Sequence, residues 1–238
     1  MATVNASKYG YGYATSELGW MTARGASTAN AVVNQPSSTN LRIIRVLYES
    51  GGKGSLWQVD RAWFAFNVTA YQTGYTLSDL KLYYKPTTST VGHGGAGLKV
   101  AVVKSTAQGN ANADLSTSDF NNFDDTVDYA DNDGSIGCTW RDLSTLSSID
   151  LNSTAISAIT STGYLKMCIM EYLYDYPDTA PTTNPTDVYA YCNFSTVPYL
   201  SFTATATGYG NDVIGVSSSN ISEVIAVSSA DISEVIGV

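Results

Sequence analysis

The stretch that most constrains the fold consists of two aromatic-rich runs, Trp57–Val68 and Leu77–Tyr84, which flank a polar segment. In the first run, large apolar side chains recur at every second position, as at Phe64 and Phe66, and the second run repeats the pattern from Leu80 onward. Alternation with a period of two in aromatic and apolar residues indicates strands that are buried on one face. The centre of the chain is therefore predicted to be a pair of half-buried strands.

Further apolar runs predict more strands and an all-β protein. They cover Leu41–Glu49, Leu98–Lys104, Tyr164–Tyr174, Asp187–Phe194 and Tyr199–Ala206. Leu41–Glu49 and Leu98–Lys104 alternate, whereas Tyr164–Tyr174 is partly apolar on both faces and is predicted to be a central strand. The chain of 238 residues is only 14% charged and contains 17 tyrosines, which is typical of a β-sandwich with a hydroxyl-rich surface. The number and spacing of the strands predict an antiparallel jelly-roll β-sandwich over residues 1–207.

Two shorter elements complete the predicted domain. A strand is predicted near Leu18–Thr22 in the Tyr/Gly-rich N-terminal region. One short helix is predicted after Asp150, with Asn152 or Ser153 as its N-cap and its end before Gly163.

Charge and hydropathy exclude two classes of partner. Twelve basic residues against 21 acidic ones give a net charge of −9, whereas a nucleic-acid groove needs clustered cations. No apolar run approaches the ~18 residues that a membrane-spanning helix requires. The N-terminus, MATVNASKYG, lacks a basic and an apolar leader region, so we expect a protein that stays in the cytoplasm until it is released.

The cysteines do not suggest a disulfide framework or a metal site. Cys138, Cys168 and Cys192 are the three cysteines, and no two of them form a C-x-x-C motif. Cys168 and Cys192 fall within apolar runs, so buried free thiols are favoured over a disulfide.

No motif indicates an enzyme or a bound cofactor. The segment Gly92–Gly97 matches G-x-G-x-x-G, but Leu98–Lys104 after it alternates like a strand, whereas a dinucleotide site needs a helix N-terminus there. His93 is the only histidine, and no G-x-S-x-G motif accompanies it. We therefore predict no catalytic residue and no organic cofactor.

The polar stretch before Cys138 is rich in carboxylates. Asp128, Asp131 and Asp133 could hold a structural Ca²⁺ ion, because alternating oxygen ligands beside a glycine are a local feature of calcium loops. A solvated Asp/Asn/Gly loop has the same composition and is the simpler interpretation. An acid/base pair for glycoside hydrolysis among the carboxylates at 119–133 is a third alternative.

Trp20, Trp57 and Trp140 are the candidate glycan-binding residues. Exposed indole rings stack on sugar faces, but tryptophans at alternating strand positions more often belong to the core.

Several short motifs, taken in order, resemble one family. They are Arg61 with Phe64–Asn67 and Leu80–Tyr84, then Ser118–Phe123, Asp150–Asn152 with Ile156, Ile159 and Gly163, and finally Pro198–Phe202. Together they resemble the DNRLRE-type jelly rolls, which are β-sandwiches similar to carbohydrate-binding modules. This chain has Asn67 where the family usually has aspartate. The resemblance implies a sandwich with a glycan-binding face, and members also occur as structural modules on cell surfaces and virions.

Residues 208–238 form a repeat tail of different character. Asn220–Val227 recurs as Asp231–Val238 with a period of eleven residues. Both copies satisfy the capping-box spacing, so short capped turns between extended segments are predicted. The apolar residues predicted to mediate assembly are Ile221, Val224, Ile225, Ile232, Val235 and Ile236.

The tail is too apolar to stay solvated and too short to bury its own apolar side chains. Eight of its last eighteen residues are Ile or Val, so we expect packing on other copies or on a neighbouring protein rather than disorder. The tail resembles the Ile/Val-Gly-Val repeat tails of phage structural proteins.

These observations predict a structural bacteriophage virion protein: a head decoration, fibre or tail component. It would assemble with itself and with other virion proteins through the tail, and a glycan-binding face would contact cell-surface glycans. The alternative is a carbohydrate-binding module or a subunit of an extracellular surface filament.

Overall fold

The computed structural model describes residues 1–38, 41–51, 54–90, 98–132, 139–140, 145–181, 188–207, 223–224 and 227–228. Within these ranges the chain is a two-sheet antiparallel β-sandwich with short helices, as the sequence predicts. The small sheet has the order β1-β14-β6-β11, with strands Ala2–Asn5, Tyr199–Ala206, Tyr75–Tyr84 and Ser147–Asp150.

The large sheet has the order β10-β8-β12-β5-β4-β13-β7. In that order its strands are Thr139–Trp140, Leu98–Ser105, Tyr164–Glu171, Gly54–Asn67, Leu41–Gly51, Val188–Cys192 and Pro86–Thr90. Three more strands join it: β2 (Lys8–Ser16) pairs with β5, β3 (Ala31–Asn34) pairs with β2, and β9 (Phe123–Asp128) pairs with β8. A separate hairpin in the tail consists of β15 (Glu223–Val224) and β16 (Val227–Ser228).

Strand β5 is the centre of the large sheet. Along one edge it pairs with β2 over Trp57–Ala65. Along the other edge it pairs with β4 over Gly54–Asp60 and with β12 over Ala62–Asn67. One strand therefore fixes the register of three others.

Strand β5 is buried on both faces over residues 59–66, whereas its alternation predicts a strand buried on one face only. Phe64 and Phe66 belong to the core together with Met167 of β12 and Leu82 of the small sheet, all of them fully buried. Trp63 points to the opposite face, where it packs against the Phe120 ring at 6.1 Å between centroids. Each such side chain contributes roughly 1.5–3 kcal/mol by leaving water.

The predicted helix is confirmed as α2, Ser153–Thr162. The Asn152 side-chain oxygen accepts hydrogen bonds from the N–H groups of Thr154 (3.0 Å) and Ala155 (3.2 Å), which are otherwise unpaired in a first helical turn. Gly163 ends the helix in the left-handed conformation with φ 73°.

The prediction of a strand near Leu18–Thr22 is wrong. This segment forms a short helix, α1, over Trp20–Arg24. Trp20, Ala23 and Arg24 are buried, and their spacing of three and four residues places them on one helical face. Ala23 and Arg24, which reveal this helical spacing, lie outside the segment Leu18–Thr22 in which the strand was predicted.

Two cysteines are buried free thiols, as predicted. Burial raises the pKa of the Cys168 and Cys192 thiols above the ordinary value, so both stay protonated and unreactive. Cys138 lies outside the described residues. None of the helices in the described residues is long and apolar enough to cross a bilayer.

A buried ion pair joins β5 to three segments that cover it. Arg61 donates from Nε and Nη2 to the two carboxylate oxygens of Asp175, at 2.8 Å and 2.7 Å, and both side chains are fully buried. Nη1 donates to the carbonyl oxygen of Phe120 (3.0 Å), and Nη2 donates to that of Arg24 (2.9 Å). The guanidinium also lies 4.6 Å from the ring centroid of Phe123. The charge is therefore fully compensated within the protein.

We expect Arg61→Met to lower the free energy of unfolding by about 3–5 kcal/mol, because it leaves the Asp175 carboxylate buried without its bidentate partner. Urea denaturation would measure the change. The matched control is Lys81→Met, which removes the exposed ion pair with Asp150 and should cost less than about 1 kcal/mol. Equal losses in the two variants would contradict the role assigned to Arg61.

A second buried carboxylate, Glu171, holds the turn that carries Asp175. It accepts hydrogen bonds from the N–H groups of Leu173 (2.7 Å), Tyr174 (2.7 Å) and Asp175 (3.3 Å). These bonds end β12 at Glu171 rather than at Tyr174 as predicted. Burial outweighs the hydrogen bonds and raises the pKa of Glu171 from 4.5 to about 7.

The raised pKa of Glu171 predicts a stability that falls between about pH 4.5 and pH 7. In that window the folded protein keeps a proton that the unfolded chain has released, so the free energy of unfolding decreases as pH rises, by up to about 3 kcal/mol from this group. Urea denaturation across this range should show a shallower slope in Glu171→Gln, and an unchanged slope in the exposed control Glu17→Gln. A slope in Glu171→Gln as steep as in the wild type would rule out this assignment.

Candidate functional site

A groove of about 450 Å³ lies on the face of the large sheet and combines aromatic rings with charged groups. We call it the tyrosine groove. Its lining residues are Tyr11, Tyr13, Arg42, Gln58, Asp60 and Tyr191, from β2, β4, β5 and β13. The volume falls within the roughly 300–1,000 Å³ of small-molecule sites.

Strand alternation places the tyrosines of β2 beside the polar residues of β5. Tyr13 lies opposite Asp60 and Tyr11 opposite Ala62 in the antiparallel register, so these side chains share one face of the sheet. Glycines separate the tyrosines because the space on the other side is filled. A Cβ at Gly10 would lie 2.4 Å from the carbonyl oxygen of Val33 in β3.

An irregularity in the sheet brings Arg42 into the groove. The register of β4 and β13 shifts between Ala190 and Tyr191, so Tyr191 lies opposite Arg42. Ile43 and Ile44 are both fully buried, whereas the Arg42 side chain is 33% exposed. A bulge of this kind re-aims a side chain, here an arginine toward the open face.

The groove is organised around the Asp60 carboxylate, which is almost completely buried. Gln58 donates from Nε2 to Asp60 Oδ1 at 2.7 Å, and Arg45 donates from Nη1 to Gln58 Oε1 at 3.0 Å. Arg42 Nε lies 3.8 Å from Asp60 Oδ2. Within the described residues the Arg42 guanidinium donates no hydrogen bond, and its Nε is buried without an acceptor. Its Nη groups are thus available to a ligand.

The tyrosines supply protonated hydroxyls and ring faces. Burial, followed by the negative charge of Asp60, raises the pKa of Tyr11, so this hydroxyl is a donor at neutral pH. Tyr191 is supported by Tyr189, whose ring meets it edge-on at 5.3 Å between centroids. Half-buried rings beside fixed carboxylate, amide and guanidinium groups suit a polyhydroxylated ligand, because sugar C–H faces pack on rings while hydroxyls bond the polar groups.

The tryptophans singled out in the sequence do not line the tyrosine groove. Trp20 is only 4% exposed and packs edge-on against Trp57 at 5.8 Å between centroids. Trp57 is half-buried and also contacts Tyr48 at 4.8 Å. Trp140 belongs to β10, but its side chain lies outside the described part of the structure.

Sequence reasoning missed all six lining residues of the tyrosine groove. One signal was available, since the run Tyr9–Tyr13 alternates tyrosine with glycine, which places three rings on one face. A second signal was Asp60, a charged residue inside the most apolar run of the chain.

The carboxylates of the predicted calcium loop have protein partners where they are described. Asp128 accepts hydrogen bonds from the Tyr176 hydroxyl, at 3.0 Å to each oxygen, and from Asn132 Nδ2 at 2.7 Å. Asp131 is exposed, and Asp133 lies outside the described residues. Among the residues with described positions, no group of three or more acidic, His or Cys side chains could hold a metal ion.

The other carboxylates of this stretch also make local contacts. Asp119 accepts from the N–H and hydroxyl of Ser116, Asp124 accepts from Thr126, and Asp125 pairs with Arg24 at 2.9 Å. His93 and Gly92–Gly97 fall outside the described residues.

The tail is described only at one hairpin. Val224 of β15 lies opposite Val227 of β16. The other predicted assembly residues lie outside the described part: Ile221, Ile225, Ile232, Val235 and Ile236.

No protein-family model matches this chain, and no curated protein matches it. The resemblance to DNRLRE-type jelly rolls therefore stays a prediction.

Proposed function

We propose that this protein is a structural, non-enzymatic virion protein whose sandwich binds glycans through the tyrosine groove. The observation that carries the glycan-binding part is the combination of Tyr11, Tyr13 and Tyr191 with an oriented Asp60 carboxylate and an Arg42 guanidinium with available donors. The ligand would be a cell-surface glycan or another polysaccharide.

Two features of the groove support binding rather than hydrolysis. Glycoside hydrolysis uses two carboxyl groups on either side of the scissile bond. Among the described lining residues, Asp60 is the one carboxylate. Its oxygens are engaged by Gln58 and Arg42, which suits a fixed acceptor for sugar hydroxyls better than a group that exchanges protons.

We expect Tyr13→Ala and Asp60→Asn each to weaken glycan binding by about tenfold or more, equivalent to ~1.4 kcal/mol, because one removes a stacking surface and the other a charged acceptor. A glycan array would identify the ligand, and isothermal titration calorimetry with that oligosaccharide would measure the affinities. Thermal unfolding of each variant would establish that the sandwich remains folded.

The matched control is Tyr83→Ala. Tyr83 stacks on Tyr199 at 4.9 Å between ring centroids on the small sheet, so it is an aromatic pair away from the groove. The control should keep wild-type affinity. Wild-type protein that binds no glycan on the array would refute the glycan-binding proposal, and a loss in Tyr83→Ala equal to that in Tyr13→Ala would move the site to the small sheet.

A second component of the proposal is assembly through residues 208–238. The observation that favours it is the eleven-residue Ile/Val repeat, one copy of which contains the hairpin β15–β16. An isolated hairpin of two short strands is only marginally stable in water, so a neighbouring surface is proposed to pack against the repeat. Other copies of the tail and other virion proteins are the proposed partners, and a surface filament is the alternative assembly.

We expect the full chain to be a discrete oligomer or filament and a chain ending at Thr207 to be a folded monomer. Light scattering would give both masses, and circular dichroism would establish that the shortened chain folds. Val224→Asp in the full chain should weaken the oligomer, because it places a charge in the hairpin. Folded monomers in all three cases would remove the basis for assembly through the tail.

A further inference from the structure

A second groove lies where helix α2 meets the ends of β8, β9 and β12. Its volume is about 380 Å³, again in the range of small-molecule sites. We call it the lysine groove. Its lining includes Lys104, Lys166, Tyr129, Val127 and, from α2, Ala158, together with several Ser and Thr residues.

The first observation is positive charge without a carboxylate partner in an acidic protein. The net charge is −9, and two other lysines pair with acidic residues: Lys8 with Asp114 at 2.7 Å, and Lys81 with Asp150. Lys104 pairs through its backbone with β12 and β9, but its ammonium group forms no ion pair or hydrogen bond within the described residues. Lys166 Nζ donates to the carbonyl oxygens of Thr106 (3.4 Å) and Gly109 (2.6 Å), which carry no full charge.

The nearby carboxylates form no ion pair with these lysines within the described residues, although the hydrogen bonds from Thr126, and then the positive charge of Lys104, lower the pKa of Asp124. Asp124 lies opposite Lys104 in the β8–β9 register, but its Oδ1 accepts from the N–H (3.2 Å) and the hydroxyl (2.6 Å) of Thr126. Burial, and then the positive charge of Lys104, lower the pKa of Lys166, while the negative charge of Asp119 acts in the opposite direction. The two ammonium groups therefore repel each other, and an anion beside them would relieve that repulsion.

The second observation is a tyrosine hydroxyl that lines the groove and has no hydrogen-bond partner among the described residues. Tyr129 is 4% exposed and lines the lysine groove, yet its hydroxyl makes no hydrogen bond within the described part of the chain. Burial, and then Asp124, raise its pKa to about 12, so it is protonated at neutral pH and able to donate. A protonated hydroxyl that donates to no protein group is able to donate to a ligand oxygen in the groove.

We propose that the lysine groove binds the oxyanion of a small acidic ligand: a carboxylate, sulfate or phosphate group. Lys104 and the Tyr129 hydroxyl donate to the anion, and Lys166 contributes positive charge. The groove is larger than a bare anion, and Val127 and Ala158 offer apolar contact to the organic part of the ligand. This site is separate from the tyrosine groove and does not depend on the function proposed for it.

The test uses full-length protein and three probes: sodium sulfate, sodium phosphate and sodium glucuronate, each at ionic strength matched with sodium chloride. Thermal unfolding would be followed as each probe is added, because a ligand that binds the folded state raises Tm in a saturable manner. Sulfate and phosphate also stabilise proteins without binding a site, so the comparison between variants decides the result.

Tyr129→Phe is the most informative variant because it removes one hydroxyl and keeps the ring. Without a probe, the Tm of Tyr129→Phe should equal or exceed that of the wild type. Removing the hydroxyl breaks no hydrogen bond within the described residues, so no protein group loses its partner. The probe-dependent rise in Tm should shrink several-fold in Tyr129→Phe and disappear in Lys104→Met. Lys99→Met, on the same strand but outside the groove, is the control and should respond like the wild type.

Two further outcomes identify the ligand class or overturn the proposal. Saturation at lower concentration with glucuronate than with sulfate or phosphate supports an acidic saccharide, and the reverse supports an inorganic or phosphorylated ligand. No saturable rise with any probe, or rises of equal size in wild type, Tyr129→Phe and Lys104→Met, would overturn the assignment.

Discussion

The fully buried guanidinium of Arg61 is the interaction on which the large sheet's covered face depends. An unpaired charge at this depth would be prohibitive, so the chain must bring Asp175 and the carbonyl oxygens of Phe120 and Arg24 to it. Those partners come from three segments far apart in sequence. The ion pair therefore does more than stabilise β5, since it specifies where α1, the 117–123 segment and the turn after β12 lie.

On the opposite face of β5, one part of the strand is covered by the core and another part is open. The open part forms one side of the tyrosine groove. Phe64 and Phe66 lie in the core shared with the small sheet, whereas Gln58 and Asp60, on the same face, line an open groove. One strand thus has both a core segment and a ligand-facing segment. The rigidity of the core segment fixes the Asp60 carboxylate, because the backbone that positions it is hydrogen-bonded on both edges.

The two grooves differ in chemistry although both lie on the large sheet. The tyrosine groove pairs rings with an Asp–Arg–Gln network, which suits hydroxyl groups. The lysine groove has two ammonium groups and a tyrosine hydroxyl donor, which suits an anion. The protein has a net charge of −9, so the two positive charges of the lysine groove are opposite in sign to the charge of the protein as a whole. A ligand that bears both hydroxyl and acidic groups would find complementary chemistry on one molecule.

The sequence by itself determined the all-β class, the central strands and the capped helix α2, because these follow from local periodicity and capping that neighbouring residues express directly. It could not place Arg42 and Tyr191 beside Asp60, since that juxtaposition depends on strand pairing and on a bulge between β4 and β13. It also mistook α1 for a strand, because a helix of five residues is held by the tertiary burial of Trp20 and Ala23 rather than by its own propensity. The two grooves were decided by the tertiary structure alone: each gathers side chains from several strands, and no local pattern encodes which strands become neighbours.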